Sequence, residues 1–470
     1  MSLIRVAISG GGLAGATLLH GLLNYPQLDV QIFESAESFN VAGAAIGVAR
    51  NALTALDLIG TSAPKCLERA GAMHMNGVRF MLGQGEGQGS LVAEEDRATH
   101  GKRVVSIVNR AAFLRELLAE IPPERLHSSK KLNTIEKKGS EGPVVLHFTD
   151  GTTHECDILV GADGIHSTAR KFVLGEDDPA ASPRNTGAWT IMALKPATQA
   201  KASFGGGPLE ESREYSWVGD GAFLMHNMFN QGQVVQFIVA AHEAGAEGSD
   251  RWDRTVSADE LKELYKAFPE HLKKAVNELL CDEAEQPAMY LWEHPPARTH
   301  VSGPVCIMGD AAHATTPWQG SGGGMTIEDA LILSSVLGRA TSQKEACMAL
   351  RVYDEVRRPR TQRIVESSRG TGLILAGRGE GMGLDLKRLT GNVLSRWDFI
   401  IDFDNKKHRD EALEKLEREP KQDSGSIWAT KRRGILSHSK CALSLSLMER
   451  VGTYFELFVS HVLPCISAVM

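Results

Sequence analysis

Apolar residues gather into short runs with two different characters. Residues 3–9, 29–33, 157–160 and 304–308 are nearly continuous, rich in Val and Ile, and too short for helices. Each predicts a buried parallel strand. Residues 186–193, 215–218, 222–228 and 233–240 predict the strands of a second sheet. Residues 16–23 and 325–337 read as helices, each directly behind a glycine-rich turn. Beyond Arg378 the pattern turns helical and charged. Residues 411–419 predict a solvated helix face, and Gln422-Asp423-Ser424-Gly425-Ser426 a linker. The glycine-rich stretch 83–89 predicts a flexible loop with no flanking strand or helix.

A chain of 470 residues is too long for one simple core, and the runs interleave. Residues 1–75, 100–180 and 286–375 are expected to form a discontinuous α/β domain. Residues 76–99 and 181–285 would form a β-sheet domain that binds substrate, and 376–420 C-terminal helices. Residues 421–470 would be a linker and an apolar tail of no assigned role.

The turns carry the chemistry. Residues 3–9 run into Gly10-Gly11-Gly12-Leu13-Ala14-Gly15, a GxGxxG sequence. Gly10 permits the tight turn, Gly12 lets the backbone approach a pyrophosphate, and Gly15 lets the helix pack closely on the strand. The helix start offers free N–H groups and a positive dipole end to phosphates. The second strand ends in Glu34, 19 positions after Gly15, where a carboxylate can accept ribose hydroxyls. A lone GxGxxG is weak evidence, but strand, helix, second strand and terminal acid together are strong evidence for a dinucleotide. Residues 157–160 lead into Gly161-Ala162-Asp163-Gly164. Asp163 would stand at the carboxyl end of a parallel strand, where such sheets bind ligands, or cap the helix that follows. Residues 304–308 lead into Gly309-Asp310, with Asp310 placed to bind a polyol. Gly320-Ser321-Gly322-Gly323-Gly324 then brings a second helix start to the same ligand. Glu328 and Asp329 read as ordinary helix-start residues. Three dinucleotide-handling segments in this order are what a single FAD site requires.

These segments resemble the class A flavoprotein monooxygenases, and within them the salicylate hydroxylase-like branch. Further matches are Asn109-Arg110, His294-Pro295-Pro296, and Tyr353 with Arg357-Arg358-Pro359-Arg360; the resemblance spans residues 3–414. It implies a Rossmann-type FAD-binding domain, a β-sheet substrate domain and C-terminal helices. It implies that Glu34 binds the adenosine ribose, that Ala45 lies against the flavin, and that Arg110 reaches the cofactor. Asp310 would hold the ribityl chain, Gly323 would contact the ring, and Asp163 would serve both FAD and a transient NADPH or NADH. It also implies a reaction in two halves: the nicotinamide reduces the flavin, and O₂ then supplies one oxygen atom to an electron-rich ring. A phenolic substrate reacts faster deprotonated, so a base or cation near its hydroxyl is expected. Trp189, His226 and Asn227 on the second sheet are the candidates. His226 is the one of these whose charge changes near neutral pH, although a strand histidine is as readily structural and Trp189 as readily core. The chain departs from many relatives by carrying Asn227-Met228 where they have Tyr-Pro. It also lacks the arginine that phenol-dearomatising relatives carry near the position of Trp189.

Composition narrows the partners. Net charge is −7, with 42% hydrophobic and 23% charged residues. The basic runs Arg357-Arg358-Pro359-Arg360 and Lys431-Arg432-Arg433 read as solvated segments, so no nucleic-acid partner is expected. Seven scattered cysteines without CxxC spacing fit neither a disulfide framework nor a metal site, and suggest a reducing, cytoplasmic location. No signal peptide is expected. Residues 451–470 are apolar, but Glu456, His461 and Pro464 are unfavourable in a bilayer core. A packing helix or a tail is therefore expected there rather than membrane contact. The leading expectation is a monomeric or homodimeric aromatic hydroxylase acting on a small phenolic or polyketide-like ring in secondary metabolism. The alternatives are a flavin epoxidase or ring-expanding monooxygenase on a non-aromatic substrate, and a non-catalytic escort protein of the dinucleotide fold. The escort class lacks the Asp163 and Asp310 motifs.

Overall fold

The computed structural model describes residues 3–39, 45–96, 105–139, 142–205, 207–209, 213–229 and 232–419. The linker and tail expected over 421–470 lie outside them. Ile4–Ser9 is the centre of a six-stranded sheet. It pairs in parallel with Leu28–Phe33 on one side and Ile158–Gly161 on the other. Val305–Ile307 extends the sheet in parallel beyond Ile158–Gly161, and Leu126–His127 beyond Leu28–Phe33. Val6, Ile8, Val30, Ile32, Ile158 and Val160 are fully buried, which is why these strands read as unbroken apolar runs. Helices Leu13–Leu22 and Gly322–Leu337 pack on this sheet, and the 33-residue helix Gln343–Leu375 packs against the latter. Two small antiparallel sheets flank the core. One, spanning 132–156, is a meander that the apolar pattern does not reveal.

The second sheet has eight strands. Their order is Asp253–Ser257, Glu285–Glu293, Arg184–Pro196, Val234–His242, Ala222–Phe229, Arg213–Val218, Gly77–Leu82 and Leu91–Asp96. All neighbours are antiparallel except Arg213–Val218 with Gly77–Leu82. Two expectations need correction. Glu285–Glu293 belongs to this sheet and not to the dinucleotide part, because it pairs with Arg184–Pro196 and Asp253–Ser257. The glycine-rich stretch 83–89 does have flanking strands: it closes the hairpin between Gly77–Leu82 and Leu91–Asp96. The acidic run Glu94-Glu95-Asp96 hides the second of these strands. Its charge is matched across the sheet, where Arg79 and Arg213 donate to Glu94 at 2.8 and 2.6 Å.

One face of the large sheet is a conventional core. Trp189, Tyr215, Trp217, Leu224, Phe237 and Val239 pack there against helices Ala197–Phe204, Ala258–Tyr265 and Glu270–Ala275. The other face turns toward the dinucleotide part. Helices Leu386–Asn392, Ser395–Ile401 and Asn405–Arg418 follow the long helix. No helix among the described residues is long and apolar enough to cross a membrane.

Candidate cofactor and substrate site

A single cavity of about 850 Å³ runs from the first glycine turn to the large sheet, at the upper end of the range for ligand pockets. At one end stand Gly10, Gly12 and Glu34. Gly10 has φ +108°, and a Cβ there would lie 2.2 Å from the Ala162 carbonyl oxygen, so the turn tolerates only glycine. Gly12 faces open space. Gly15 does not line the cavity; a Cβ there would lie 2.0 Å from the Gly10 oxygen, so its task is packing. Glu34 accepts the Gly11 N–H at 2.6 Å and the Ala36 N–H at 2.8 Å, which aims its carboxylate at the turn. Ala45 and Arg110 line the same cavity, and Asn109 caps the Arg110 helix by accepting the Ala112 N–H at 3.0 Å.

Asp163 and Asp310 lie further along the cavity, at the ends of adjacent parallel strands. Asp163 lines it and also accepts the Ser167 hydroxyl and the Ala169 N–H, while Ser167 itself caps the helix Thr168–Leu174 by accepting the Arg170 N–H at 2.8 Å. Burial pushes its carboxyl up, against the pull of those donors. Asp310 is exposed to the cavity and opens the short helix Asp310–His313. The Gly309 turn before it has φ +58° and ψ −143°, a region essentially restricted to glycine. The Gly309 N–H donates to Asp329 at 3.1 Å.

Asp329 belongs to a buried ionic network that local sequence does not show. His313 Nε2 lies 2.6 Å from its carboxylate, and Arg357 Nε donates to it at 2.8 Å. Arg357 also donates to Glu328 at 2.8 Å and to the Met325 carbonyl at 3.2 Å. Glu328 is further bound by Arg360 and by Asn51 at 2.7 Å. Burial by itself raises Asp329, but His313 and Arg357 pull it below the ordinary aspartate range. Two expectations are therefore corrected. Glu328 and Asp329 are not helix-start residues but lie in the second turn, wholly buried. The run Arg357-Arg358-Pro359-Arg360 is not a solvated segment: Arg357 is 0% exposed.

The large sheet supplies the far wall. Along a strand, alternate side chains face opposite ways, and Phe223, Met225 and Asn227 face the cavity. His226 therefore faces the core, where it stacks on Tyr215 at 5.2 Å and accepts the Trp217 indole N–H at 3.2 Å. Burial, followed by His271, pushes it down to about 3, so it stays a neutral core residue. Trp189 also faces the core, under the Arg254 guanidinium. Of the three residues expected near substrate, the cavity receives Asn227 alone; His226 and Trp189 are corrected to structural roles. On the sheet, the cavity-facing polar groups that sequence reasoning missed include Glu95, Glu214, Ser216, Thr190 and Gln236. Trp397 and Leu394 close the wall from the C-terminal helices, and Trp397 donates to the Gln319 carbonyl at 3.2 Å.

The residues present fit FAD. Helices Leu13–Leu22 and Gly322–Leu337 both open on the cavity, with no side-chain cap and no acidic residue in the first turn. Their free N–H groups and dipoles are available to an anion. The first faces Glu34 and Arg110, which suits a pyrophosphate and ribose. The second lies beside Asp310 and Gly323, which suits a ribityl chain and a ring that gains negative charge on reduction. When bound, FAD supplies the electron transfer from NAD(P)H and the use of O₂. Among the described residues no cluster of His, Cys, Asp and Glu could hold a metal ion.

Known proteins agree with this geometry. Residues 4–368 match the FAD binding domain family. The 6-methylsalicylate 1-monooxygenase of Aspergillus terreus is 36% identical over 376 residues, covering 78% of this chain and 82% of that protein. A salicylate hydroxylase of Sarocladium schorii is 30% identical over 390 residues, covering 78% and 80%. The solved structure of a salicylate hydroxylase substrate complex superposes with a TM-score of 0.77 at 24% identity, covering 90% of this chain and all of the other. The protein accordingly belongs to the FAD-binding family of class A flavoprotein aromatic monooxygenases.

Proposed function

We propose that the protein uses FAD, NAD(P)H and O₂ to hydroxylate a small phenolic or polyketide-like aromatic ring. The observation that carries this reading is the continuity of one cavity from the two uncapped helix starts to an apolar sheet wall. On that wall Met192, Phe223, Met225 and Ile238 offer the faces and edges that a planar ring needs, and Trp318 meets Phe223 edge-on at 5.6 Å. Leu394 and Trp397 extend the apolar lining and keep water from the reacting centre. The proton acceptor sought in His226 falls instead to Glu214. It lines the cavity, and burial pushes its carboxyl up against the pull of the Ser216 hydroxyl. The similarity to enzymes named for salicylate and 6-methylsalicylate supports a substrate of this size and chemistry.

The test is NAD(P)H oxidation by the flavin-loaded protein across a panel of phenols and hydroxybenzoates, with products weighed. Stimulation by a ring that gains one oxygen is the expected result. Flavin retention with no stimulation by any ring would move the reading to a non-aromatic substrate. Glu214→Gln should lower kcat by about 10²-fold or more. An unchanged kcat would place the proton acceptor elsewhere.

A further inference from the structure

The large sheet sets three polar side chains in a line. Glu214 is paired across the sheet with Asn227, and Asn227 with Gln236. They occupy one face of three adjacent strands at ~4.8 Å spacing, and all three line the cavity. Asn227 and Gln236 are almost wholly buried, yet Asn227 Oδ1 and Gln236 Oε1 have no hydrogen-bond partner among the described residues. Glu214 accepts the Ser216 hydroxyl at 3.2 Å and has further acceptor capacity. The next row on the same face is Ser216, Met225 and Ile238; the row behind, on the core face, is Tyr215, His226 and Phe237. Packing alone gives no reason for a file of acceptors there. A buried acceptor without a donor is costly, so this row is built for donors that a ligand brings.

We propose that Glu214, Asn227 and Gln236 bind the hydroxyls of an aromatic ring that carries two hydroxyl groups meta to each other. The inference rests on the reading of the sheet as the substrate wall. Two meta hydroxyl oxygens are separated by about one strand spacing, so each can reach an acceptor on its own strand. Ortho oxygens are too close together for that, and a single hydroxyl leaves a neighbouring acceptor unpaired. Met225 and Ile238, one row along, cover the carbon skeleton. The cationic lining residues Arg110, Lys130 and Lys131 come from the dinucleotide part and not from the sheet, so among the described residues the unmet oxygens of the row face no cation of the sheet and call for hydroxyl donors.

The experiment compares 5-methylbenzene-1,3-diol with 3-methylphenol, which differ by one hydroxyl. Dissociation constants are read from perturbation of the flavin spectrum in the flavin-loaded protein. The wild type should bind the diol about tenfold more tightly or better, equivalent to ~1.4 kcal/mol. In Asn227→Leu, which leaves Glu214 and Gln236 two strand spacings apart, with flavin content checked by absorbance, that advantage should shrink to about threefold or less through loss of diol binding. Equal binding of the two rings by the wild type overturns the proposal without any variant. So does a diol advantage that survives in Asn227→Leu, or in Asn227→Ser if the leucine variant loses its flavin. Failure of every ring to bind or to stimulate NAD(P)H oxidation overturns the functional reading itself, which is a distinguishable result.

Discussion

Arg357→Met tests whether the buried ionic network holds the cofactor turn. The guanidinium is 0% exposed, spans Glu328 and Asp329 at 2.8 Å each, and also reaches the Met325 carbonyl. Methionine fills similar volume but leaves two carboxylates with less compensation. Glu328 keeps Arg360 and Asn51; among the described residues Asp329 keeps only His313 and the Gly309 N–H. Removing one member of a buried pair costs about 3–5 kcal/mol. At about 2 cal/mol/K per residue of unfolding entropy, a body of this size converts that loss into a fall in Tm of about 3–6 °C. The effect should reach the cofactor, because Asp329 anchors the turn that presents Asp310. FAD retention and Tm should therefore fall together, as followed by differential scanning calorimetry and flavin fluorescence on one sample. Arg357→Lys should fall between, since an ammonium cannot fork across both acids. A Tm within about 1 °C of wild type and unaltered FAD retention in Arg357→Met would refute the reasoning.

Other outcomes follow from single residues. His226 is held at about 3 in the folded state by burial, against about 6.5 when unfolded. Its contribution is complete above pH 6.5 and is lost as pH falls toward 3, reaching about 2 kcal/mol by pH 5. His226→Phe should remove that share of the acid slope, read as urea midpoints at pH 7.5 and 5. Loss of turnover at pH 7.5 without loss of stability would instead place the imidazole in the chemistry. In Gly309→Ala, a Cβ would lie 2.9 Å from that of Ala14 in a backbone region that alanine avoids, at about 1–3 kcal/mol. Its FAD dissociation constant should rise by about tenfold or more, measured by titrating apoprotein. Unchanged affinity would show that the turn does not set the position of Asp310.

The sequence is most legible where a few consecutive residues dictate a backbone path. Gly10, Gly12 and Gly15 have separate tasks at fixed spacing, and Glu34, Asp163 and Asp310 each end a strand whose apolar run is unmistakable. All but Gly15 of these line one cavity, together with Ala45, Arg110 and Gly323. Legibility ends where the decision is which side of a strand faces which neighbour. Ala222–Phe229 carries apolar residues on both faces, because one packs on helices and the other lines the cavity, so alternation gives no sign. His226 and Asn227 are adjacent and so cannot share a face; applying that rule would have forced a choice between them but not made it. The charged run at Arg357 misleads for another reason: its acidic partners lie 28 and 29 positions away in the chain. The parallel pairing of Arg213–Val218 with Gly77–Leu82, such as Arg213 with Gly77, is far more remote in the chain. No local pattern encodes it.

The interleaving of the two sheets sets a timetable for synthesis on the ribosome. Val6 pairs with Ile158 on one side and Val30 on the other, so one edge of the first strand waits while about 150 further residues are made, roughly 8–30 s at ordinary elongation rates. Gly77–Leu82 must wait in the same way for Arg213–Val218. Arg357, which closes the ionic network beneath the Gly309 turn, emerges later still. Neither sheet can be completed before the other has begun, and the nascent chain carries exposed apolar strands through most of its elongation. This chain should therefore lean on holding chaperones while it is made, and acquire its flavin only near the end.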